Sequence, residues 1–294
     1  MPSPPVHPTR FRWGELQVLL APPLLWLLVF FFAPVALVLA FSLAKSNPLG
    51  SLHPELSLDS YRLALDPLYL KVLGRSLAYA GISTLATLLL AFPAACYIAF
   101  SPPRRQKFLL FLVFLPLWTN LLVRLFSFII LLSDGGLVNQ ALQALSLVHE
   151  PVQLLNTPFA VVTGFVYWNL PYMIPPIYAA LDRMDVSLLE ASMDLGASHL
   201  TTFRRIVLPQ SAPGIAAGLT LCFIPTLGCF IIPDILGGPN TMMVGNLIAS
   251  QFQQGRNWPF GSALSTLLLL IIMLGVCLHL RTYDPSRRQP AASE

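Results

Sequence analysis

The sequence predicts an all-α integral membrane protein with six transmembrane helices and both termini in the cytoplasm. Three observations carry that expectation. The 294 residues are 55% hydrophobic and only 10% charged, whereas soluble domains carry roughly 25% charged residues. So few charges cannot cover a globule of this size, and lipid must be the solvent. Six apolar runs, 18–41, 75–100, 108–132, 159–181, 211–232 and 261–281, each satisfy the need for roughly 20 residues in a helical span. The basic residues, finally, are divided unevenly between the loops.

Taken in order, the first run follows a short N-terminal tail, 1–17, that carries Arg10 and Arg12. The run exceeds the roughly 7–15 apolar residues of a secretory signal, so it reads as an uncleaved span. Before the second run, "LDSYRLALDPLYLKVLGRS" reads as an interfacial amphipathic helix with Tyr61, Tyr69, Lys71 and Arg75 at the headgroups. Pro34, Pro93, Pro116, Pro175 and Pro225 lie inside spans, where neighbouring helices and water satisfy the freed backbone groups. Cys96, Cys222, Cys229 and Cys277 sit in apolar runs without metal-ligand spacing, and read as small buried hydrophobes. The histidines are equally scattered, so no metal site is expected. A polar C-terminal tail, 282–294, closes the chain.

Orientation follows from lysine and arginine. One side receives Arg10, Arg12, Arg104, Arg105, Lys107, Arg183, Arg204, Arg205, Arg281, Arg287 and Arg288; the other receives Lys45, Arg62, Lys71, Arg75 and Arg256, with Arg124 left inside a span. The richer side is cytoplasmic, which places both termini and segment 182–210 inside. The formal charge of +4 is modest; the expected environment is membrane lipid, with no nucleic-acid partner.

Segment 182–210 is the longest polar interruption of the C-terminal half. Leu188, Ala191, Ser192 and Leu195 recur at helical spacing and predict one apolar stripe. Asp185 and Ser187 are candidate caps for that short helix, and Gly196 can end it in a left-handed conformation. A second helix from Ala197 to Val207 is expected to stop at Leu208-Pro209. Such an elbow lies on lipid headgroups, where Arg204 and Arg205 suit, or docks on a partner that covers its stripe.

"EASMDLGASHLTTFRRIVLPQSAPGI" also resembles the EAA loop of ABC-importer permeases, through Glu190-Ala191-Ser192, Gly196, Leu208-Pro209 and Pro213-Gly214. That family usually has a second alanine where this chain has Ser192. The stretches "FLPLWTNLLVRLFSFIILLSDGGLVN", "TPFAVVTGFVYWNLPYMIPPIYAALDRMD" and "FIPTLGCFIIPDILGGPNTMMVGNLIASQF" are similar to the spermidine/putrescine branch of these permeases. The resemblance implies a type I importer permease fold with a cytoplasmic coupling helix between the fourth and fifth spans. It implies two cytoplasmic ATPase subunits, a second homologous permease, and a periplasmic or lipid-anchored solute-binding protein. Glu190 would make the ionic contact to the ATPase, with Leu188, Leu189, Ala191, Ser192, Leu195 and Gly196 as the docked surface and Pro209 closing the elbow. No cofactor is expected in this chain, ATP and magnesium belonging to the partner ATPases. A phosphate-cradling loop needs Gly-Lys, and Lys45, Lys71 and Lys107 follow alanine, leucine and glutamine.

For a polyamine, carboxylates would meet ammonium groups and aromatic faces would give cation–π contact. Trp118, Tyr167, Trp168 and Tyr172 are candidate faces, and Asp134 and Asp234 candidate charges at the outer mouth. Interfacial packing also accounts for the aromatics, and a loop cap for Asp234. Arg124, taken to lie near the outer interface, is expected to snorkel or to pair with Asp134 as a structural charge, or alternatively to gate the outer mouth. Segments 42–72 and 233–260 are candidate contacts for a binding protein. The alternatives are the same transporter class with another solute (an opine, ferric iron, sulfate or thiamine), an ion-driven transporter or channel, and an intramembrane enzyme. No inverted repeat, midplane carboxylate or catalytic constellation favours the last two.

Overall fold

The computed structural model describes residues 13–46 and 52–282; most of both predicted tails lies outside the described residues. Helix α1 (Trp13–Leu27) begins before the predicted start at 18, and a π-helical turn at Leu28–Phe32 joins it to α2 (Ala33–Ser42) in one rod. From Leu19 to Pro34 its side chains point outward, with Leu24, Trp26 and Phe30 each at least 60% exposed. Strands β1 (Ala44–Ser46) and β2 (Leu52–Leu56) then form an antiparallel ribbon, a small departure from an all-helical chain.

The expected interfacial helix before the second span is divided. Helix α3 (Asp59–Ala64) stops, and Asp66 accepts the N–H of Leu68 at 2.9 Å to cap α4 (Pro67–Ala99). A capping acid followed by proline at the first helical position is a strong start signal. The second span therefore begins eight residues ahead of 75 and reaches about 50 Å.

The third predicted span, 108–132, is not one helix. Helix α5 (Pro103–Phe114) tightens into a 3-10 turn at Leu115–Trp118, where Pro116 has no N–H to give. Thr119 is extended, its hydroxyl bonding the Pro116 carbonyl at 2.8 Å. Asn120 then accepts the Leu122 N–H at 2.8 Å and opens α6 (Leu121–Leu132). Past it, α7 (Leu137–Ala144) and its following loop are held by the buried amide of Asn139. That side chain donates to the carbonyls of Ser133 and Val152 and accepts the Val152 N–H.

Thr157 caps α8 (Pro158–Asp182). The elbow follows as α9 (Ser187–Asp194) and α10 (His199–Thr202), and a π-helical turn at Phe203–Val207 leads without a break into α11 (Leu208–Gly228). Pro209 thus does not stop the second arm. The wider turn just before it accommodates a residue that cannot donate to the helix, so the arm and the fifth span are one helical stretch, His199–Gly228. That span ends at Gly228 rather than 232. Helix α12 (Ile231–Leu236), a 3-10 turn at Pro239–Thr241, α13 (Val244–Gln253) and α14 (Trp258–Thr282) complete the described chain.

Helix α8 is the centre, packed by α4 on one side and α11 on the other, while α2 lies along α14. Ala91, Ala95 and Ile98 of α4 meet Met173, Ile177 and Leu181 of α8 and Cys222 of α11 in one buried cluster. Gly214 and Gly218 let α11 close on α8: a Cβ at Gly218 would lie 2.6 Å from Met173 Sδ, and one at Gly214 would strike the Pro176 carbonyl. Within this contact the Asn169 amide donates to Thr226 Oγ1 at 3.0 Å. Five helical stretches among the described residues are long and apolar enough to cross a membrane. Helix α8, at 25 residues, has the length but is more polar, because its core position hides Asn169 from lipid. Cys96, Cys222 and Cys229 are at least partly buried as expected, but Cys277 faces outward.

Candidate functional site

The elbow between α8 and α11 is built by local rules. Asp185 Oδ1 accepts the Ser187 N–H at 2.9 Å; hydrogen bonds from Ser187 hold this exposed carboxyl below its ordinary range. At the other end of α9, Gly196 has φ +81°. Its N–H bonds the Met193 carbonyl at 2.9 Å, and the Ala197 N–H bonds the Ser192 carbonyl at 3.0 Å. This is the paired arrangement that closes a helix around a left-handed glycine.

The four residues of the predicted stripe do not share one face. Leu188 and Leu195 are 45% and 89% exposed, and Ala191 is exposed beside them. Ser192 turns inward instead. Its hydroxyl bonds the Leu189 carbonyl at 2.9 Å and pairs with Thr202 Oγ1 at 2.8 Å, tying the first arm to the second. Leu189, expected on the docked surface, instead packs with Phe203 and Ile206 onto the cluster between α4 and α8, because the elbow's inner side must cover that apolar cluster. The Ser192–Thr202 bond was hidden in the sequence because Leu188 and Leu189 are adjacent, and a wheel drawn through either is plausible. Glu190 is exposed, and its carboxylate has no partner among the described residues.

Far along α8 from the elbow, the residues nominated for a solute path do not converge. Trp168 is half-buried and stacks edge-on with Tyr172, 6.2 Å away. Trp118 stands at the α5–α6 break, 77% exposed, against Phe111. An apolar cavity of about 340 Å³ beside α4, α5 and α8 takes Tyr167, Pro116 and Pro171 into its wall, but none of these three aromatics. Asp134 lines a polar cavity of about 450 Å³ together with Glu150 and Asn156. Asp234 is exposed on α12, where Asn246 Nδ2 approaches its Oδ1 at 3.5 Å.

The expected pair of Arg124 with Asp134 does not form. The break at Thr119–Asn120 puts Arg124 in the first turn of α6, while Asp134 follows the far end of that helix, about 15 Å along the axis. Arg124 is half-exposed, and its Nε and Nη1 are buried without a hydrogen-bond partner among the described residues. Its guanidinium carbon stands 6.0 Å from the Tyr167 ring centroid.

A bundle of long apolar helices around a packed centre, with a polar elbow slung between two central helices, defines a multi-pass membrane permease. The chain belongs to the family of binding-protein-dependent transport system inner membrane components, whose profile matches residues 87–284. It is 40% identical over 256 residues to the spermidine/putrescine transport system permease protein PotB of Escherichia coli, covering 87% of this chain and 93% of that one. A shorter likeness, 35% over 118 residues, links 40% of this chain to 44% of the permease protein PotC of the same organism. Among solved structures it is similar to a bacterial alginate ABC transporter in complex with an alginate-bound periplasmic protein. There the TM-score is 0.77, with 19% identity, over 94% of this chain and 96% of that one; this likeness speaks for the fold. Family and fold are therefore those that the sequence motifs implied.

Proposed function

We propose that the chain is the permease subunit of a binding-protein-dependent ABC importer that carries spermidine- or putrescine-like cations into the cytoplasm. The cargo rests on the 40% identity to PotB across nearly its whole length. The chain spans the bacterial inner membrane six times, through the α1–α2 rod, α4, α5 followed by α6, α8, the stretch His199–Gly228 and α14, with both ends and the elbow on the arginine-rich cytoplasmic side. ATP is hydrolysed elsewhere, by two cytoplasmic ATPase subunits. A second permease related to PotC completes the pore, and a periplasmic or lipid-anchored binding protein delivers solute to segments 42–72 and 233–260.

One observation carries the mechanism: α9 and its C-cap offer Leu188, Ala191 and Leu195 with an unpaired Glu190, on an elbow joined to α8 by a short turn and continuous with α11. An ATPase that covers this face gains roughly 25 cal/mol per Å² of apolar area and grips a carboxylate. The Ser192–Thr202 bond and the Gly196 turn keep the arms together. Movement of the motor is then passed to α8 and α11 as a rigid-body displacement. On the outer side Asp134 and Asp234 supply charge, and Trp118, Trp168 and Tyr172 supply faces for ammonium groups.

The test is uptake of labelled spermidine by the complete transporter in proteoliposomes. Glu190→Ala is expected to cut ATP-driven uptake at least tenfold while the chain stays in the membrane and ATPase activity persists. Unchanged uptake would remove the elbow from the mechanism. Asp234→Asn should lower cationic uptake, and a normal rate would take that residue off the path. Stimulation of ATP hydrolysis across polyamine, opine, sulfate, ferric iron and thiamine decides the cargo.

A further inference from the structure

The cavity of about 340 Å³ beside α4, α5 and α8 is a groove with an apolar wall, formed by Tyr97, Leu109, Leu112, Val113, Leu170 and Ile174 among others. Tyr97 and Leu112 are 59% and 43% exposed, so the groove opens at the side of the bundle. On α5, the lining residues Leu109, Leu112 and Val113 fall within about 100° of arc, and Arg105, one turn before Leu109, falls inside the same arc. Arg104 and Lys107 lie on the opposite side of that helix. Arg105 is exposed, and no carboxylate among the described residues pairs with it, with Arg104 or with Lys107. The carboxylate at this end of α8, Asp182, is already engaged: Gln106 Nε2 donates to its Oδ1 at 3.0 Å and the Tyr178 hydroxyl at 3.1 Å. The first of these bonds pins the start of α5 to the end of α8 and keeps two walls of the groove together.

Depth, width and charge together select the occupant. Leu109 and Pro116 lie about 6 Å and about 16 Å beyond Arg105 along the chain's helical path. One leaflet contributes about 15 Å of hydrocarbon, half of the bilayer core. The groove therefore covers the depth of one leaflet's acyl chains, with Arg105 at the level of their headgroups. Helix α8 lines it over the same length, from Tyr167 to Ile174. Spread along roughly 10 Å, a volume of about 340 Å³ leaves a section of about 30 Å². That admits a hydrocarbon chain but is too narrow to seat a helix about 10–12 Å across. A cationic cargo finds no free carboxylate there. A guanidinium grips phosphate at two points, and Arg104, Lys107 and Arg183 add the positive potential that draws anionic lipid to basic side chains at a membrane surface.

We propose that this groove holds an acyl chain of an anionic phospholipid of the inner leaflet, with the lipid's phosphate on Arg105. The inference rests on the reading that α5 starts on the cytoplasmic side. The test uses the complete transporter, reconstituted with phosphatidylglycerol or phosphatidylcholine that carries a diazirine halfway along one acyl chain. After irradiation, adducts are mapped by peptide mass spectrometry. Phosphatidylglycerol is expected to label 109–116 and 170–174 at least fivefold more than phosphatidylcholine does. Arg105→Gln should remove that preference, while Arg104→Gln, on the opposite side of α5, should keep most of it. Leu112→Trp fills the groove with Arg105 in place and should lower labelling by both lipids, so the result does not hang on one variant. Equal labelling by the two lipids, or a preference that survives Arg105→Gln, would overturn the proposal. So would a benzophenone side chain at position 112 that captures the second permease instead of lipid. These outcomes leave the transport reading intact. If a membrane-impermeant maleimide reached Arg104→Cys from outside intact cells, in a chain whose own cysteines are replaced by alanine, the orientation would fail and the inner-leaflet site with it.

Discussion

The α8–α11 pair and the α1–α2 rod are made of opposite materials. The pair buries an asparagine, a serine, a threonine and two close-packing glycines. The rod carries leucine, phenylalanine and tryptophan, and from Leu19 to Phe32 these stay exposed. In water the assignment would be reversed. In lipid, apolar surface gains nothing by leaving its surroundings, so helices associate through small residues that permit close approach and through polar groups that need each other. Within this chain, then, apolar residues serve both the core and the lipid face, and it is small and polar residues in mid-helix that mark the core.

The largest expected effect breaks that contact. Gly218→Leu forces a side chain into Met173 Sδ and, at 3.3 Å, the Met173 carbonyl; overpacking of this kind costs about 1–3 kcal/mol or more. Yield of monodisperse protein and thermal stability in detergent should both fall. Phe30→Leu in the rod, which touches no core, should stay within about 0.5 kcal/mol of wild type. Equal shifts for the two variants would erase the distinction between the regions.

A smaller effect sharpens it. Thr226 gives its one hydroxyl proton to the Cys222 carbonyl at 2.7 Å, and its oxygen accepts from the Asn169 amide nitrogen at 3.0 Å. Thr226→Val therefore strands a buried amide, at about 1–3 kcal/mol. Asn169→Leu leaves no orphan and should cost nearer to 0.6 kcal/mol, the average for polar pairs between membrane helices. Thermal unfolding of both variants checks the order, and the reverse order would mean that the amide finds another partner.

The same physics explains which parts of the fold could be read in advance. Hydropathy placed the long helices, because the lipid-facing surface is what hydropathy measures. It could not place the breaks. Pro93 and Pro225 sit inside continuous helices, while Pro116 ends one. The difference lies in Thr119-Asn120, a capping pair that was on view but lost in a run of apolar letters. That break does not set the distance from Arg124 to Asp134: the two are ten residues apart, about 15 Å along α6, which is too far for a pair. At the elbow, Gly196 was legible from backbone sterics alone. The inward turn of Ser192 depends on Thr202, ten residues on, and on Leu189 finding the α4–α8 cluster, both of them tertiary facts.

Gly196 gives the next prediction, confined to the elbow. A Cβ there meets open space, so only the φ of +81° opposes substitution. Gly196→Val should cost about 1–2 kcal/mol for the left-handed backbone, felt as loss of coupling rather than of the bundle. Uptake should fall while thermal stability of the α8–α11 core, measured in detergent, stays close to wild type. A matching loss of core stability would show that the elbow and the core unfold as one unit.

The smallest effect is electrostatic and separates the solvent-facing elbow from the core by pH. The Asp185 carboxyl is held below its ordinary range by hydrogen bonds from Ser187. A carboxyl lowered on folding contributes stability that is present above its unfolded value, about 3.9, and is lost as pH falls through the lower folded value. Amide exchange at Ser187–Glu190, corrected for intrinsic rates, should therefore keep its protection from neutral pH to about pH 5 and lose part of it below about pH 4. Asp185→Asn accepts the same N–H without titrating, so its protection should be flat across that range, at a slightly lower level. Amides of α8 around Asn169 should show neither trend, since no carboxylate is bonded there. An acid-dependent loss in the core, or an unchanged profile in Asp185→Asn, would move the responsible group away from the elbow.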